Sequence, residues 1–380
     1  METNILLTEK LIKWYERNAR VLPWRTDVSP YHIWLSEIML QQTRVETVIS
    51  YYNRFLDALP DVFSLATAPE DQLLKLWEGL GYYSRVRNMQ KAASIVVEKH
   101  GGVFPDSYVA LKELPGIGEY TAAAIASIAF GEATPAVDGN LLRIFTRMTA
   151  FDVDGKSESA KQHARLFFEP LMGERVQTEQ TIAALISIAA KTNTPAALPG
   201  TLNQALMDLG AGICLGNHAP KCDACPWREH CEAHRQGRES DYPVKASSKP
   251  RAEEDRTVLV ILYDGKIAIR KRPDRGLLAG LYELPNKKGM LDEAEAIRFA
   301  KELGFSPLRI RRLPSARHIF THREWHMTGY EVRADELTPY ESSEKLPSSL
   351  LLLKPDEIQK SYSIPSAFAA CLGPYLKFKG

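Results

Sequence analysis

Two carboxyl groups in this sequence stand in settings that suit acid–base chemistry, and the first is Glu37. Residues 31–43 predict a helix on which Glu37 shares a face with Ile33, Trp34 and Leu40. A carboxyl group on an apolar stripe is costly to bury unless it is paired or used. Burial favours its protonated form and raises its pKa, as a general acid near neutral pH requires. The alternative is a glutamate at the edge of the stripe whose side chain reaches solvent.

The second carboxyl group, Asp138, directly precedes a predicted helix, Gly139–Met148, whose apolar side carries Leu141, Leu142 and Phe145. The simplest interpretation is a helix N-cap, whose carboxylate accepts hydrogen bonds from the first turn. Asp138 also follows a glycine-containing turn by about twenty residues, and this spacing matters for the resemblance described below.

That turn, Leu114-Pro115-Gly116-Ile117-Gly118, predicts a hairpin between two helices, since proline and glycine permit a tight turn. The amides of Gly116 and Gly118 would then point outward at the start of a small-residue helix, Glu119–Phe130. Free N–H groups at a helix N-terminus favour a phosphate anion. The glycine spacing alone is equally compatible with a turn that only joins two helices.

Four of the five cysteines are clustered as C-x7-C-x2-C-x5-C, at Cys214, Cys222, Cys225 and Cys231. In a reducing compartment such clustering indicates metal ligation rather than disulfides. From the residues alone, zinc bound by four thiolates is one candidate and an iron–sulfur cluster is another. Cys371 lies far away and is interpreted as a core thiol.

Aromatic and basic residues are combined in two further segments. Tyr82 and Tyr83 stand just before Arg85 and Arg87, a pattern that fits an aromatic wedge beside phosphate contacts. Tyrosines before a helix are also common core residues. Arg25 ends a Pro-Trp-Arg loop. This loop is either a substrate contact or simply a corner between two helices.

The C-terminal third of the chain changes from helical patterns to strands. Thr257–Tyr263 and Lys266–Arg270 predict a hairpin with an Asp-Gly turn, and Glu293–Leu303 predicts a helix. The order of elements resembles a Nudix-type α/β domain. A Nudix hydrolase needs a run of glutamates on its helix to hold magnesium, and only Glu302 stands in place within residues 298–303. We therefore expect nucleotide recognition here rather than hydrolysis.

Length and composition limit these interpretations. A chain of 380 residues predicts two domains, and the polar, breaker-rich stretch 232–252 predicts the linker between residues 1–231 and 253–380. The net charge of +1 means that any nucleic-acid-binding surface must be a local basic patch. The N-terminus lacks a signal-peptide core and no apolar run approaches membrane length, so we expect a cytoplasmic protein with no membrane partner.

Residues 34–43 (WLSEIMLQQT), the hairpin and the Asp138-Gly139-Asn140 string together resemble the helix-hairpin-helix base-excision DNA glycosylases, and within them the adenine DNA glycosylases. The resemblance implies an all-α glycosylase domain with an iron–sulfur cluster loop, followed by a C-terminal α/β Nudix-like domain. Members with lyase activity, such as endonuclease III, carry a lysine directly after the hairpin as nucleophile. Tyr120 stands there and cannot form a Schiff base, which implies a monofunctional glycosylase.

The resemblance also implies roles for single residues. Glu37 would protonate adenine at N7, Asp138 would stabilise or trap an oxocarbenium-like sugar, and both carboxyl groups would be oriented by Tyr120 and Asn140. Arg25 would contact the adenine, and Gln41 and Gln42 would help to open the duplex. Tyr82 would insert next to the lesion base, and the amides of Gly116 and Gly118 would bind the DNA backbone.

In the C-terminal domain, the string Arg317–His322 resembles the loop with which this family reads 8-oxoguanine. Phe320 would insert into the base stack, Thr321 would hydrogen-bond the oxidised base, and His322 would support the loop. Without the resemblance, the same string is an alternating edge strand with two histidines. The four clustered cysteines would hold a [4Fe–4S] cluster that positions a DNA-binding loop and takes no part in bond cleavage.

These interpretations predict a monomeric enzyme of base excision repair that removes adenine mispaired with 8-oxoguanine or guanine in double-stranded DNA, and that is found in the cytoplasm at the nucleoid. Two alternatives remain open from the sequence. One is a mismatch glycosylase that removes thymine or uracil, and the other is a lesion-binding protein without catalytic activity.

Overall fold

The computed structural model describes residues 1–155, 157–244, 250–337 and 350–377. The chain divides into two compact units, residues 1–67 with 87–247 and residues 68–86 with 248–380. Of the predicted linker 232–252, residues 232–244 belong to the first unit, and Ala252 begins a strand of the second. Residues 245–249 of that linker, and residues 338–349 and 378–380 of the predicted domain 253–380, lie outside the described residues.

The N-terminal two thirds of the chain form helices. In chain order they are α1 (Glu2–Asn18), α2 (Pro30–Leu40), α3 (Val45–Ala58), α4 (Val62–Thr67), α5 (Glu70–Leu76), α6 (Ser84–His100), α7 (Tyr108–Leu111), α8 (Glu119–Phe130), α9 (Gly139–Thr149), α10 (Glu158–Phe168), α11 (Glu179–Thr192), α12 (Leu198–Gly212) and α13 (Glu232–Arg235). Helix α5 and the first turn of α6 belong to the second unit. No helix among the described residues has the length and apolar character that crossing a membrane requires.

Helix α8 packs closely against its neighbours in the first unit. Its alanines from Ala122 to Ala124 are buried, and small side chains let helices approach closely. Gly200 in α12 has the same role, since a Cβ there would lie 2.7 Å from the Ile128 Cα atom. Helix α12 begins at Leu198, and Pro199 fits its first turn because proline has no N–H that the helix would need there.

The second unit is built around a mixed sheet. Its strands are β1 (Ala252–Tyr263), β2 (Lys266–Lys271), β3 (Tyr282–Glu283), β4 (Asn286–Lys288), β5 (Phe305–Arg312), β6 (Ala316–Ile319), β7 (Arg323–Leu337) and β8 (Leu350–Leu353), with helices α14 (Glu293–Glu302), α15 (Pro355–Ser361) and α16 (Ala369–Leu372). The main path of the sheet runs β3-β2-β1-β7-β5, and β1 and β7 are parallel. The predicted β1–β2 hairpin is present, and Asp264 and Gly265 in its turn both have positive φ.

Strand β1 is buried on both faces of this sheet. Val258 and Val260 pack into the core on one side, and Leu259 and Ile261 pack into the core on the other. A strand covered on both sides reads in sequence as a continuous apolar run rather than an alternating one. This burial explains the run Val258–Leu262.

Candidate active site

A cavity of about 220 Å³ in the first unit brings the predicted catalytic residues together. Glu37 from α2, Tyr120 from α8, and Asp138 and Asn140 from the start of α9 all line it. Glu37 is only 5% exposed, so the apolar stripe of α2 faces the interior and the solvent-reaching alternative is not observed. Two carboxyl groups a hundred residues apart in sequence therefore share one concave site.

Glu37 is held in an environment that favours its neutral form. Burial raises the pKa of Glu37 to about 7, although a hydrogen bond from Tyr120 opposes this rise. The Tyr120 hydroxyl donates to Glu37 Oε2 at 2.5 Å. The negative charge of Asp138 raises the pKa further and Arg25 lowers it. A carboxyl group with such a pKa exchanges protons near neutral pH, as a general acid–base must.

Asp138 has hydrogen-bond partners of a different kind. Its Oδ1 accepts from the backbone N–H groups of Asn140 and Leu141, both at 2.8 Å, and its Oδ2 accepts from Asn140 Nδ2 at 2.9 Å. Burial raises the pKa of Asp138, while these backbone and side-chain hydrogen bonds act in the opposite direction. The helix-cap interpretation and the cavity position therefore both hold for the same carboxylate.

Arg25 lines the cavity but is held from behind by an aspartate that sequence reasoning missed. Its Nη1 and Nη2 donate to Asp208 Oδ2 and Oδ1, both at 2.8 Å, in a bidentate pair. Arg20 Nε donates to Asp208 Oδ1 at 2.6 Å. Burial alone would raise the pKa of Asp208, but Arg25 and then Arg20 lower it overall. A lone acid in the apolar helix α12 is the signal that could have identified it.

Arg143 is a second residue that the sequence did not single out. Its Nη2 donates to Asn140 Oδ1 and to the Gly210 carbonyl, both at 2.8 Å, and its Nε donates to the Cys214 carbonyl at 2.7 Å. Arg143 therefore connects the cysteine loop to the side-chain amide of Asn140, which in turn donates to Asp138. No sequence pattern indicates this role, because two of its three acceptors are backbone carbonyls.

The other predicted contacts of the first unit lie outside this cavity. Gln41 is half-buried at the end of α2, and Gln42 is exposed with a φ of 59°. Gly116 adopts a φ of 78°, and a Cβ there would lie 2.7 Å from Asn88 Cβ. Gly118 is exposed and is the N-cap of α8, with open space around it.

The four clustered cysteines line a common cavity whose chemistry fits a thiolate-bound metal centre. Cys214, Cys222, Cys225 and Cys231 surround it together with Arg147, whose Nη1 lies 3.2 Å from Cys214 Sγ. A guanidinium donor beside a sulfur atom suits a thiolate rather than a neutral thiol. Zinc and an iron–sulfur cluster are both compatible with four such ligands.

In the second unit, the structure brings Tyr82 and Thr321 into contact. The two hydroxyl groups are hydrogen-bonded, although the residues are 239 positions apart. Tyr82 is 48% exposed with a positive φ, whereas Tyr83 is 7% exposed, so Tyr83 is a core residue and the wedge role of Tyr82 stays a prediction. His322 is exposed, and its carbonyl accepts from Ala252 N at 3.2 Å.

The string Arg317–His322 is part strand and part loop, so it includes both the edge strand and the loop that the sequence suggested. Residues 316–319 form β6, and residues 320–322 form the turn to β7, in which Phe320 N donates to the Arg323 carbonyl at 2.8 Å. Phe320 is half-buried, with its ring centroid 4.9 Å from that of Trp325. The expected insertion of Phe320 into a base stack would require its ring to leave this contact.

Comparison with known proteins places these features in context. Residues 35–170 match the family model described as HhH-GPD superfamily base excision DNA repair protein, and residues 257–373 match a NUDIX domain. The chain is 34% identical to the adenine DNA glycosylase of Mus musculus, over 86% of this chain and 70% of that protein. It is 33% identical to that of Homo sapiens, over 87% and 67% respectively. For that of Buchnera aphidicola subsp. Acyrthosiphon pisum the identity is 30%, over 89% of both chains.

Proposed function

The chain belongs to the adenine DNA glycosylase family, and we propose that it hydrolyses the N-glycosidic bond of adenine mispaired with 8-oxoguanine or guanine in duplex DNA. The observation that carries this proposal is the shared cavity of Glu37 and Asp138. Because a glycosidic bond is inaccessible inside the base stack, the adenosine would have to be extruded from the duplex into that cavity.

The chemistry that we propose divides the work between the two carboxyl groups. Glu37, which holds a proton near neutral pH, donates it to adenine N7. The C1′–N9 bond then breaks, its electron pair leaves with the base, and adenine departs as a neutral molecule. The carboxylate of Asp138, held by its amide donors, stabilises the positive charge that develops on the sugar or traps it covalently. The Glu37 carboxylate then removes a proton from water, whose oxygen adds to C1′ and, where Asp138 had bonded to C1′, displaces the Asp138 carboxylate.

We expect the reaction to stop at the abasic site. A lyase step needs an amine that forms a Schiff base with C1′, and no lysine is among the described residues that line the cavity. Tyr120, directly after the hairpin, donates its hydroxyl proton to Glu37 instead. Strand scission should therefore appear only after separate treatment with alkali.

Recognition of the base opposite adenine is assigned to the second unit in this proposal. Tyr82 and Thr321 are exposed polar groups in mutual hydrogen-bond contact, and both can exchange that bond for one with a nucleobase. Glu302 is 54% exposed and pairs with Lys287 at 3.0 Å, and the other two glutamates of α14, Glu293 and Glu295, lie in its first turn, so no run of glutamates surrounds Glu302 on this helix. This helix supports recognition rather than pyrophosphate hydrolysis.

The four cysteines would hold the [4Fe–4S] cluster in this proposal. When bound, the cluster would act as a structural cross-link between Cys214 at the end of α12 and the loop up to Cys231. Arg147 donates to Cys214 Sγ, and Arg143 connects the same cysteine's carbonyl to Asn140. Through these bonds, order in the cysteine loop supports the position of Asp138.

Base release from defined duplexes tests the proposed function. The protein should release adenine from A:8-oxoguanine and A:G duplexes and leave A:T intact, with nicking only after alkali. Preferential release of thymine from T:G would indicate the mismatch-glycosylase alternative. Binding of the lesion duplex without any base release in a single-turnover assay would indicate the non-catalytic one, and either result would reject the proposal.

A further inference from the structure

The buried ion pair behind the cavity has a geometry that bears on the charge of Glu37. Asp208 is 2% exposed and Arg25 is 8% exposed by side chain, and their bidentate contact is nearly free of solvent. Arg25 also donates from Nη1 to the Arg20 carbonyl at 3.1 Å. These bonds hold the guanidinium against α12, at the wall of the cavity that Glu37 also lines.

Glu37 is the nearby group whose protonation responds to this arrangement. The positive charge of Arg25 acts on Glu37 and lowers its pKa, against the larger effect of burial. In a site of low dielectric constant an uncompensated charge several ångströms away changes a pKa by one unit or more. The carboxylate of Asp208 compensates that charge and fixes the position of the group that carries it.

We propose that Asp208 is a positioning residue that holds and neutralises Arg25, so that Glu37 keeps its proton at neutral pH. This inference rests on the proposed function, since it concerns the proton that Glu37 delivers to adenine. Asp208 itself is not among the residues that line the cavity, so it would act on Glu37 without contact, by holding Arg25 in place and by its own negative charge.

The other charged and titratable groups around Glu37 do not substitute for Asp208. Tyr120 faces Glu37 from α8 and Asp138 faces it from the start of α9, and neither contacts Arg25 in the described structure. Tyr15 of α1 lies beside Arg25, but burial raises its pKa to about 12 and keeps it neutral. Arg20 adds a second cation at Asp208, with 36% of its side chain exposed to solvent.

Removal of the charge of one partner or of the other gives opposite expectations. Asp208→Asn leaves Arg25 uncompensated, favours the Glu37 carboxylate and should move the alkaline limb of the pH–rate profile to lower pH by about one unit. Arg25→Met removes the cation that favours the Glu37 carboxylate, leaves Asp208 paired with Arg20 alone, and should move the same limb to higher pH. The double variant, which removes both charges, should lie close to the wild type.

The experiment measures single-turnover adenine release from an A:8-oxoguanine duplex between pH 5 and 9. Asp208→Asn should be about tenfold slower than wild type at pH 8 and should recover towards the wild-type rate at lower pH. Asp208→Glu, which retains the charge, should restore the wild-type midpoint. Rates lowered by the same factor at every pH, with all midpoints unchanged, would show a merely structural ion pair and overturn the inference.

Folding of the single variant is the main complication, because an unpaired buried guanidinium is strongly destabilising. Arg25→Met and the Arg25→Met/Asp208→Asn pair avoid this, and adding Asp208→Asn to Arg25→Met should lower the midpoint. An unchanged midpoint in that comparison also overturns the inference. A wild-type protein that releases no adenine would instead reject the proposed function, so the two failures are distinguishable.

Discussion

The two carboxyl groups of the cavity differ in the donors that surround them. Glu37 receives one phenolic hydroxyl and is otherwise buried against apolar side chains, while Asp138 receives two backbone N–H groups and an amide. Amide donors stabilise a carboxylate, and burial stabilises a neutral acid. Burial raises the pKa of both groups, and in the proposed mechanism the additional amide donors favour Asp138 as the ionised group and Glu37 as the acid.

Burial of Glu37 should be measurable as a cost in stability above neutral pH. Its pKa of about 7 in the folded protein lies above its ordinary value of 4.5, so the folded state retains a proton that the unfolded state loses between these values. Stability associated with Glu37 is thus present below pH 4.5 and is lost as pH rises through 7. Glu37→Gln should raise the free energy of unfolding at pH 8 by about 3 kcal/mol and change it little at pH 4.5.

Urea unfolding of wild type and Glu37→Gln at the two pH values checks this expectation. Glu158→Gln is a suitable control, since Glu158 is 82% exposed and pairs only with Lys161 three residues on. The control should change stability by the same small amount at both pH values. A Glu37→Gln effect that does not depend on pH would mean that the pKa of Glu37 is the same in the folded and unfolded protein, and would contradict the raised value.

At the scale of elements, the hairpin before α8 depends on one glycine. Gly116 has a φ of 78° and no room for a Cβ beside Asn88. Gly116→Ala should therefore destabilise the protein by at least about 1 kcal/mol and weaken duplex binding, because the turn that presents the α8 N-terminus must shift. Gly173→Ala is the matched control, since Gly173 has a φ of −77° and open space around it. Equal stability and duplex affinity of the two variants would contradict this account of the hairpin.

The cysteine loop gives a second prediction at this scale. Cys225→Ser should lose most of the bound iron and the visible absorption of the cluster, and should lower the melting temperature, because a structural metal centre adds directly to stability. Cys371→Ala, which changes a thiol in the core of the second unit, should retain the iron content of the wild type. Wild-type protein that contains zinc and no iron would contradict the iron–sulfur cluster but leave the four cysteines as the metal ligands.

The sequence patterns predicted secondary-structure elements more fully than they predicted tertiary contacts. Helix α8 has the predicted bounds Glu119–Phe130, because glycine at each end delimits an apolar, alanine-rich run. The pairing of Arg25 with Asp208 spans 183 residues and leaves no local signal, although a lone acid in apolar α12 was open to the same reasoning as Glu37. The segment 68–86 belongs to the second unit by its tertiary contacts, which no local composition encodes.

At the scale of the molecule, each unit carries its own set of candidate contacts. The first unit holds the cavity with Glu37 and Asp138, and the second unit holds Tyr82 and Thr321. The proposed function therefore predicts that catalysis and recognition of the opposite base respond to different substitutions. The two family models match residues 35–170 and 257–373, and the first of these ranges includes the segment 68–86 of the second unit.

Thr321→Ala tests this separation. The variant should lose up to about tenfold of the preference for 8-oxoguanine over guanine opposite adenine, since one hydrogen bond to a base contributes roughly 1 kcal/mol or more. Its single-turnover rate on A:G should change little. Leu308→Ala, at a residue that is 72% exposed on β5 of the same unit, is the control. An unchanged preference in Thr321→Ala would remove the turn after β6 from the recognition site.

The most direct measurement of the central claim is single-turnover adenine release by Glu37→Gln on an A:8-oxoguanine duplex at pH 7. Glutamine retains the shape and an acceptor for the Tyr120 hydroxyl but has no acidic proton to donate. The account predicts a rate at least about 100-fold below wild type with unchanged duplex affinity. A variant that binds the duplex and releases adenine at the wild-type rate would contradict it.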